Sequence, residues 1–240
     1  MSELTLLTTT GERPEAWRIC ELLMNKQTYS GNVRWVIVDD GSIQQPVTFQ
    51  RINWKLEIVR PVPFWRVGVN TQSRNILSGL EKIGKNERVV IIEDDDYYDS
   101  RYLSFISECL NKYDMVGEAP SRYFNVSTGR GRLLPNNKHS GLCSTAVKGM
   151  ALEALRTSSR RNLKFIDINL WKKFNGSKLL YDSRMVVGIK GLPGRRGIGS
   201  GHNPDFGEPT DLSNWIGKDI EIYVDYMKQK NVCDGLVNAN

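Results

Sequence analysis

The sequence predicts an α/β fold, a mixed, mainly parallel sheet flanked by helices, and three observations lead there. Short apolar, β-branched runs recur along the first half, segments of helical periodicity separate them, and two acidic clusters follow directly on two of the runs. Strands that alternate with helices pair in parallel, because each helix carries the chain back across the sheet. In such sheets ligands bind beyond the carboxyl ends of the strands, which is where both acidic clusters stand.

Residues 4–8 are a buried strand, punctuated by Gly11 and Pro14. Pro14 opens a helix, since its missing N–H costs nothing in a first turn, and Ala16, Ile19, Cys20, Leu22 and Leu23 give that helix an apolar face. Residues 35–38 are a second strand, ended by Asp39, Asp40, Gly41 and Ser42, with Gly41 permitting the sharp turn. Residues 56–59 are a third strand, residues 75–80 lie on a helix, and residues 89–92 are a fourth strand running into Glu93, Asp94, Asp95 and Asp96. The second half is less regular. Residues 117–149 are rich in Gly, Ser, Asn and Arg, and helices are expected from 151 and over 168–174. Residues 188–209 hold seven glycines and read as a functional loop or lid. Residues 219–228 are helical again in pattern.

Hydrophobic residues make up 40% of the 240, enough to close a sizeable core, yet no run reaches the roughly 18–20 apolar residues of a membrane span. No charged-then-apolar leader stands at Met1, so a cytoplasmic setting is expected. Cys20, Cys109, Cys143 and Cys233 form no closely spaced pair, which argues against a zinc site. The net charge of +6 is a weak pointer to a polyanionic partner, strengthened by Arg130, Arg132, Lys138, Arg160, Arg161, Lys164, Arg195 and Arg196 falling in the second half.

Four consecutive carboxylates at a strand end repel one another, and a divalent cation with hard oxygen ligands, Mn²⁺ or Mg²⁺, would relieve that repulsion. The alternative is a solvated acidic turn. At the other cluster, Asp40 or Asp39 can accept hydrogen bonds from a base or ribose, or serve the turn alone. Asp167 is an isolated carboxylate beside apolar residues, a setting that raises basicity; it also stands where an N-cap would precede the helix over 168–174.

Taken together and in this order, these motifs resemble the GT-A glycosyltransferases of the family 2 type, over about residues 3–110. The turn Thr9, Thr10, Gly11, Glu12, Arg13, Pro14 follows the first strand; Val38, Asp39, Asp40, Gly41, Ser42 end the second; Ser73, Arg74 and Asn75 open a helix; Glu93 to Asp96 form a DxD-type motif with Tyr102 and Leu103 downstream. The resemblance implies a GT-A, Rossmann-like fold and a metal-dependent transfer of sugar from a nucleotide-sugar, a UDP-sugar, to an acceptor hydroxyl. It implies that Thr9, Arg13, Asp39, Asp40, Arg74, Glu93 and Asp94 touch the donor. Asp95 would be the principal metal ligand, with Asp96 a second. Asp167 would be the catalytic base, although Ile166 stands where the family has a glutamate. A late histidine, His202, would join the metal, while Arg195 and Arg196 would face the leaving diphosphate. Residues 1–110 would then be the nucleotide-sugar-binding half and residues 111–240 the acceptor-binding and catalytic half of one domain.

The basic second half is consistent with a polyanionic acceptor, and the compact size and the loop of residues 190–197 resemble phage-type glycosyltransferases, which implies a hydroxymethylated base in DNA as acceptor and the host cytoplasm as setting. Arg130, Arg132 and His139 are then the acceptor-side candidates, and a target base would be flipped out of the stack. A cell-surface glycan or lipid-linked acceptor is the alternative. A nucleotidyltransferase would want a glycine-rich phosphate loop after the first strand, where residues 8–13 are too short and poor in glycine. A non-catalytic nucleic-acid binder would gain nothing from four carboxylates at a strand end.

Overall fold

The computed structural model describes residues 3–161, 165–197 and 199–227; Lys164, Cys233 and the end of the expected 219–228 helix lie outside the described residues. Four parallel strands, β1 (Leu4–Thr10), β2 (Val33–Asp39), β3 (Trp54–Val59) and β4 (Val89–Ile91), belong to a seven-stranded sheet. A second sheet begins with the short β5 (Tyr97–Tyr98). β6 (Met115–Glu118) belongs to the first sheet, and β7 (Ser121–Asn125) and β8 (Arg130–Leu134) to the second. β9 (Thr145–Val147) runs antiparallel between β4 and β6, and β10 (Lys178–Tyr181) pairs in parallel with β6. β11 (Val186–Lys190) and β12 (Glu208–Pro209) complete the second sheet. The strand orders are β10-β6-β9-β4-β1-β2-β3 and β12-β8-β7-β11-β5.

Strand alternation explains how helices cover both faces of the large sheet. Leu4, Leu6, Trp35 and Ile37 share a core with α1 (Pro14–Asn25) and with α3 (Tyr102–Lys112). Leu7, Val36 and Val38 point the other way, into a core with α2 (Gln72–Leu80), α4 (Gly149–Arg160) and α5 (Ile166–Lys173). Each such side chain contributes about 1.5–3 kcal/mol on burial. A one-turn helix, α6 (Ser213–Ile216), follows β12.

The chain steps outward from β1 to β2 and β3, then returns to β4 on the other side of β1. Strand order therefore reverses between β1 and β4, and a crevice opens beyond their carboxyl ends.

Three expectations need correction. The glycine-rich stretch is not a loop throughout: residues 186–190 are β11, 200–202 are a 3-10 turn, and 208–209 are β12. Asp167 is not an N-cap, because α5 starts at Ile166 with Phe165 in that position, which puts Asp167 in the first turn. The helical pattern expected over 219–228 is not one continuous helix: residues 217–222 form a 3-10 helix and, after a turn at Tyr223, residues 224–227 are α-helical.

Candidate functional site

The crevice at the switch point is a cleft of about 380 Å³. Thr9, Thr10 and Arg13 line it from the end of β1, and Glu93, Asp94 and Asp95 from the end of β4. Lys190, Arg195, Arg196, Gly197, Gly199 and His202 come from β11 and the segment after it, and Phe165, Ile166 and Asp167 from the start of α5. The structure thus gathers eight of the expected donor and metal residues from both halves of the chain, and Asp167, the expected base, beside them.

The end of β2 is held by its own aspartates. Asp39 accepts the N–H of Gly41 at 2.9 Å and of Gln45 at 2.7 Å and pairs with Arg60 at 2.8 Å, so it fixes the loop and does not line the cleft. Asp40 is fully buried and accepts hydrogen bonds from Thr71 at 2.5 Å, Arg74 at 3.1 Å and Arg195 at 2.6 Å. The guanidinium of Arg195 also lies 4.6 Å from the ring centroid of Trp65. The backbone freedom expected of Gly41 is needed at Gly11 instead. Gly11 has φ +145°, and a Cβ there would stand 2.4 Å from Asp40 Oδ1.

The acidic run is crowded as expected, but two cations relieve it. Arg13, at the start of α1, donates to Asp94 Oδ1 at 2.7 Å and to Asp95 Oδ2 at 2.6 Å. Thr10 donates to Asp94 Oδ2 at 2.8 Å. Lys190 Nζ reaches Asp96 Oδ1 at 2.8 Å and Asp95 Oδ2 at 3.4 Å, and the backbone N–H of Ile189 also donates to Asp96 Oδ1 at 2.8 Å. Gln72 donates to Glu93 at 3.1 Å.

These partners separate four like groups. Burial would raise Asp95, but Arg13 and Lys190 outweigh it and hold the carboxyl well below the usual range. Asp96 is pushed up to about 6 by burial, which the ammonium of Lys190 only partly offsets. Burial also raises Glu93 and Asp94. His202 is pushed down to about 4 by burial and by Lys190, which leaves a neutral imidazole at neutral pH. Burial raises Asp167 from its ordinary value, although first-turn N–H groups and His139 pull the other way.

Whether the run suits an ion follows from what its oxygens hold. The expected set of Asp95, Asp96 and His202 is a poor fit, because Lys190 already bridges Asp95 Oδ2 and Asp96 Oδ1 and Arg13 also holds Asp95 Oδ2, although Asp96 Oδ2 is buried without a hydrogen-bond partner. Among the described residues, Glu93, Asp96 and Cys143 offer ligand atoms within 4.8 Å of one another and could hold an ion. Their chemistry is poor for Mn²⁺ or Mg²⁺: a thiol is a soft ligand, and burial keeps Cys143 protonated.

On the acceptor side, Arg130 is half-buried, donating to the carbonyl of Gly207 at 2.9 Å and lying 3.8 Å from Glu208. Arg132 is exposed on β8. Neither lines the cleft, nor does His139. Lys190 and Trp65 escaped sequence reasoning. The signal for Lys190 was there in part: a charge directly after the apolar run 185–189, the same pattern that singles out Glu93.

A mainly parallel sheet with a site at its switch point defines the class of fold, a mixed α/β architecture of the GT-A-like kind. Among solved structures, S. aureus TarS is similar to this chain with a TM-score of 0.53 and 13% identity, over 78% of this chain and 37% of that one. TarS 1–349 in complex with UDP-GlcNAc gives a TM-score of 0.51 and 14% identity, over 81% of this chain and 60% of that one. The same fragment with UDP gives 0.50 and 13%, over 78% and 60%. The chain therefore spans between about a third and three fifths of the structures it matches, and at these identities the likeness shows the fold. No protein-family model and no curated protein matches the chain.

Proposed function

We propose that this chain is a glycosyltransferase that moves a sugar from a nucleotide-sugar donor, a UDP-sugar, to an acceptor hydroxyl. The observation that carries this reading is a single cleft holding both a cation-rich wall, Arg13, Lys190, Arg195 and Arg196, and a separate carboxylate of raised basicity, Asp167. The wall suits a diphosphate. The nucleoside would lie by Thr9, Glu93 and Asp94, and would replace Arg195 at Asp40 with Arg74 beside it. Arg195, so released, turns to the diphosphate.

In an inverting transfer the acceptor oxygen bonds to the anomeric carbon, and the bond from that carbon to the β-phosphate oxygen breaks. Its electron pair leaves with the nucleoside diphosphate, and the acceptor proton passes to Asp167. The cations offset the charge growing on the leaving group. Mn²⁺ or Mg²⁺ would have to displace Lys190 to reach Asp95 Oδ2 and Asp96 Oδ1, the one oxygen of each carboxylate that the ammonium holds.

For the acceptor, the net charge of +6 and the exposed Arg132, Arg160 and Arg161 favour a polyanion, and a hydroxymethylated base in DNA is the acceptor we propose. A cytoplasmic setting goes with that reading, in keeping with the free thiols of Cys20, Cys109 and Cys143. Among the described residues, no helix is long and apolar enough to cross a membrane. The test is to incubate the chain with a panel of nucleotide sugars and plain or hydroxymethylated DNA, then digest and weigh the nucleosides. A gain of one sugar on the modified nucleoside supports the DNA acceptor. Transfer to a glycan or lipid-linked acceptor but to no DNA replaces that acceptor and keeps the activity. The absence of turnover of every nucleotide sugar refutes glycosyl transfer itself.

A further inference from the structure

We propose that Lys190 is the resident cation of the donor site, so that this chain binds a nucleoside diphosphate without a divalent ion. The proposal rests on the nucleotide-sugar reading above and concerns how that site manages charge.

The ammonium sits between the two carboxylates expected to chelate a metal, 2.8 Å from Asp96 Oδ1 and 3.4 Å from Asp95 Oδ2. An ion bridging those same two oxygens would need the space the ammonium fills, and Asp96 Oδ2 is the buried oxygen it leaves without a hydrogen-bond partner. The position is built into the backbone. Strand β11 pairs with β7 through Lys190 and Asn125 and with β5 through Val187 and Tyr97, and Ile189 N–H holds the same Asp96 oxygen that Lys190 takes. Gly201 closes over the stem of the side chain, where a Cβ would stand 3.0 Å from Lys190 Cγ. The Lys190 side chain is 10% exposed, so it cannot swing into solvent to vacate the site without opening this packing.

Arg13 completes the arrangement from the other side of the run, at 2.7 Å from Asp94 and 2.6 Å from Asp95. The two side chains supply the formal charge of one divalent ion, and both line the cleft. An ammonium has three N–H donors. Asp95 and Asp96 take two of Lys190's, which leaves one for a phosphate oxygen. Asp95 and Asp96 thus serve to hold and orient Lys190, as carboxylates elsewhere hold a metal.

Calorimetry on the full chain tests this, with UDP titrated in chelator and again in Mn²⁺. A second measurement follows binding of Mn²⁺ alone by electron paramagnetic resonance. We expect UDP affinity to be the same in both buffers within about twofold and Mn²⁺ alone to stay unbound. An affinity at least roughly tenfold higher with Mn²⁺ overturns the proposal, because tenfold is the scale of one lost ionic contact. So does stoichiometric binding of Mn²⁺ by the unmodified chain. Lys190→Ala should lose UDP affinity in chelator and acquire a Mn²⁺ site, while Lys190→Arg, which keeps the charge, should retain metal-independent binding. If Lys190→Ala does not fold, the unmodified chain in the two buffers still decides. Failure to bind UDP or GDP in either buffer overturns the nucleotide reading, and the metal-independence proposal falls with it; the Mn²⁺ measurement alone shows whether the carboxylates are already satisfied.

Discussion

Asp95, Asp96 and Asp167 are the same side chain in three states. Asp95 touches two cations and is held strongly acidic; Asp96 shares one of them in a fully buried position and is pushed up to about 6; Asp167 is raised by burial. This assigns roles. A group kept ionised positions cations, whereas a group of raised pKa with access to the cleft can take a proton. Asp167→Asn should therefore cut turnover at least about 100-fold, the scale of general-base catalysis, and leave UDP affinity within about twofold. Steady-state kinetics with calorimetry check this, and a variant that keeps more than about a tenth of the turnover removes Asp167 from the reaction. The pH dependence has a definite sign. A base works deprotonated, so turnover should rise with pH through the pKa of Asp167. The acid limb of the kcat profile should lie above the ordinary carboxylate value of about 4. A limb at or below that value contradicts the assignment.

At the scale of elements, the turn between β1 and α1 is packed against both the end of β2 and the segment after β11. Gly11 meets Asp40, and Gly194, at φ +102°, brings a Cβ position 2.9 Å from the carbonyl of Glu12. Gly11→Ala should destabilise the fold by about 1–3 kcal/mol, the usual cost of a side chain in a glycine-only conformation. Urea unfolding measures it, and an unchanged midpoint would mean that the turn moves aside freely. The segment 191–197 docks through Arg195, which donates to Asp40 and to Thr71 at 2.6 Å each. A donor that takes Asp40 must re-dock this segment. Hydrogen exchange of its amides should change on addition of UDP, slowing as Arg195 and Arg196 close on the diphosphate. Exchange identical with and without UDP would separate the segment from donor binding.

For the whole molecule, the question is what a mildly basic surface is for. Arg160 and Arg161 are exposed at the end of α4, Arg132 on β8, and Arg130 is tied into the fold by Gly207 and Glu208. If DNA is the acceptor, about five phosphate contacts would give a log–log slope of binding against salt of about −4 to −5. Replacing Arg160 and Arg161 with Ala should flatten that slope by about two contacts and leave UDP binding unchanged. A salt slope indifferent to both arginines would move the DNA surface elsewhere or abolish it.

The first four strands, four of the helices and the placing of two acidic clusters at strand ends were legible along the sequence, because each is a local matter of apolar periodicity, a turn residue or a proline. The short strands of the second half were not. β5, β6, β7 and β9 are two to five residues long and are stabilised by partners far away, so a window of sequence carries too little of their energy to reveal them. The site divides in the same way. Four adjacent carboxylates announce a need for positive charge, and the sequence by itself determined that need. Which cation meets it was decided by tertiary structure. Lys190 lies 94 residues from Asp96 along the chain, and it reaches that carboxylate because β11 pairs with β5 and β7, a long-range packing that brings an ammonium on a strand end into the place where local reading expected a metal.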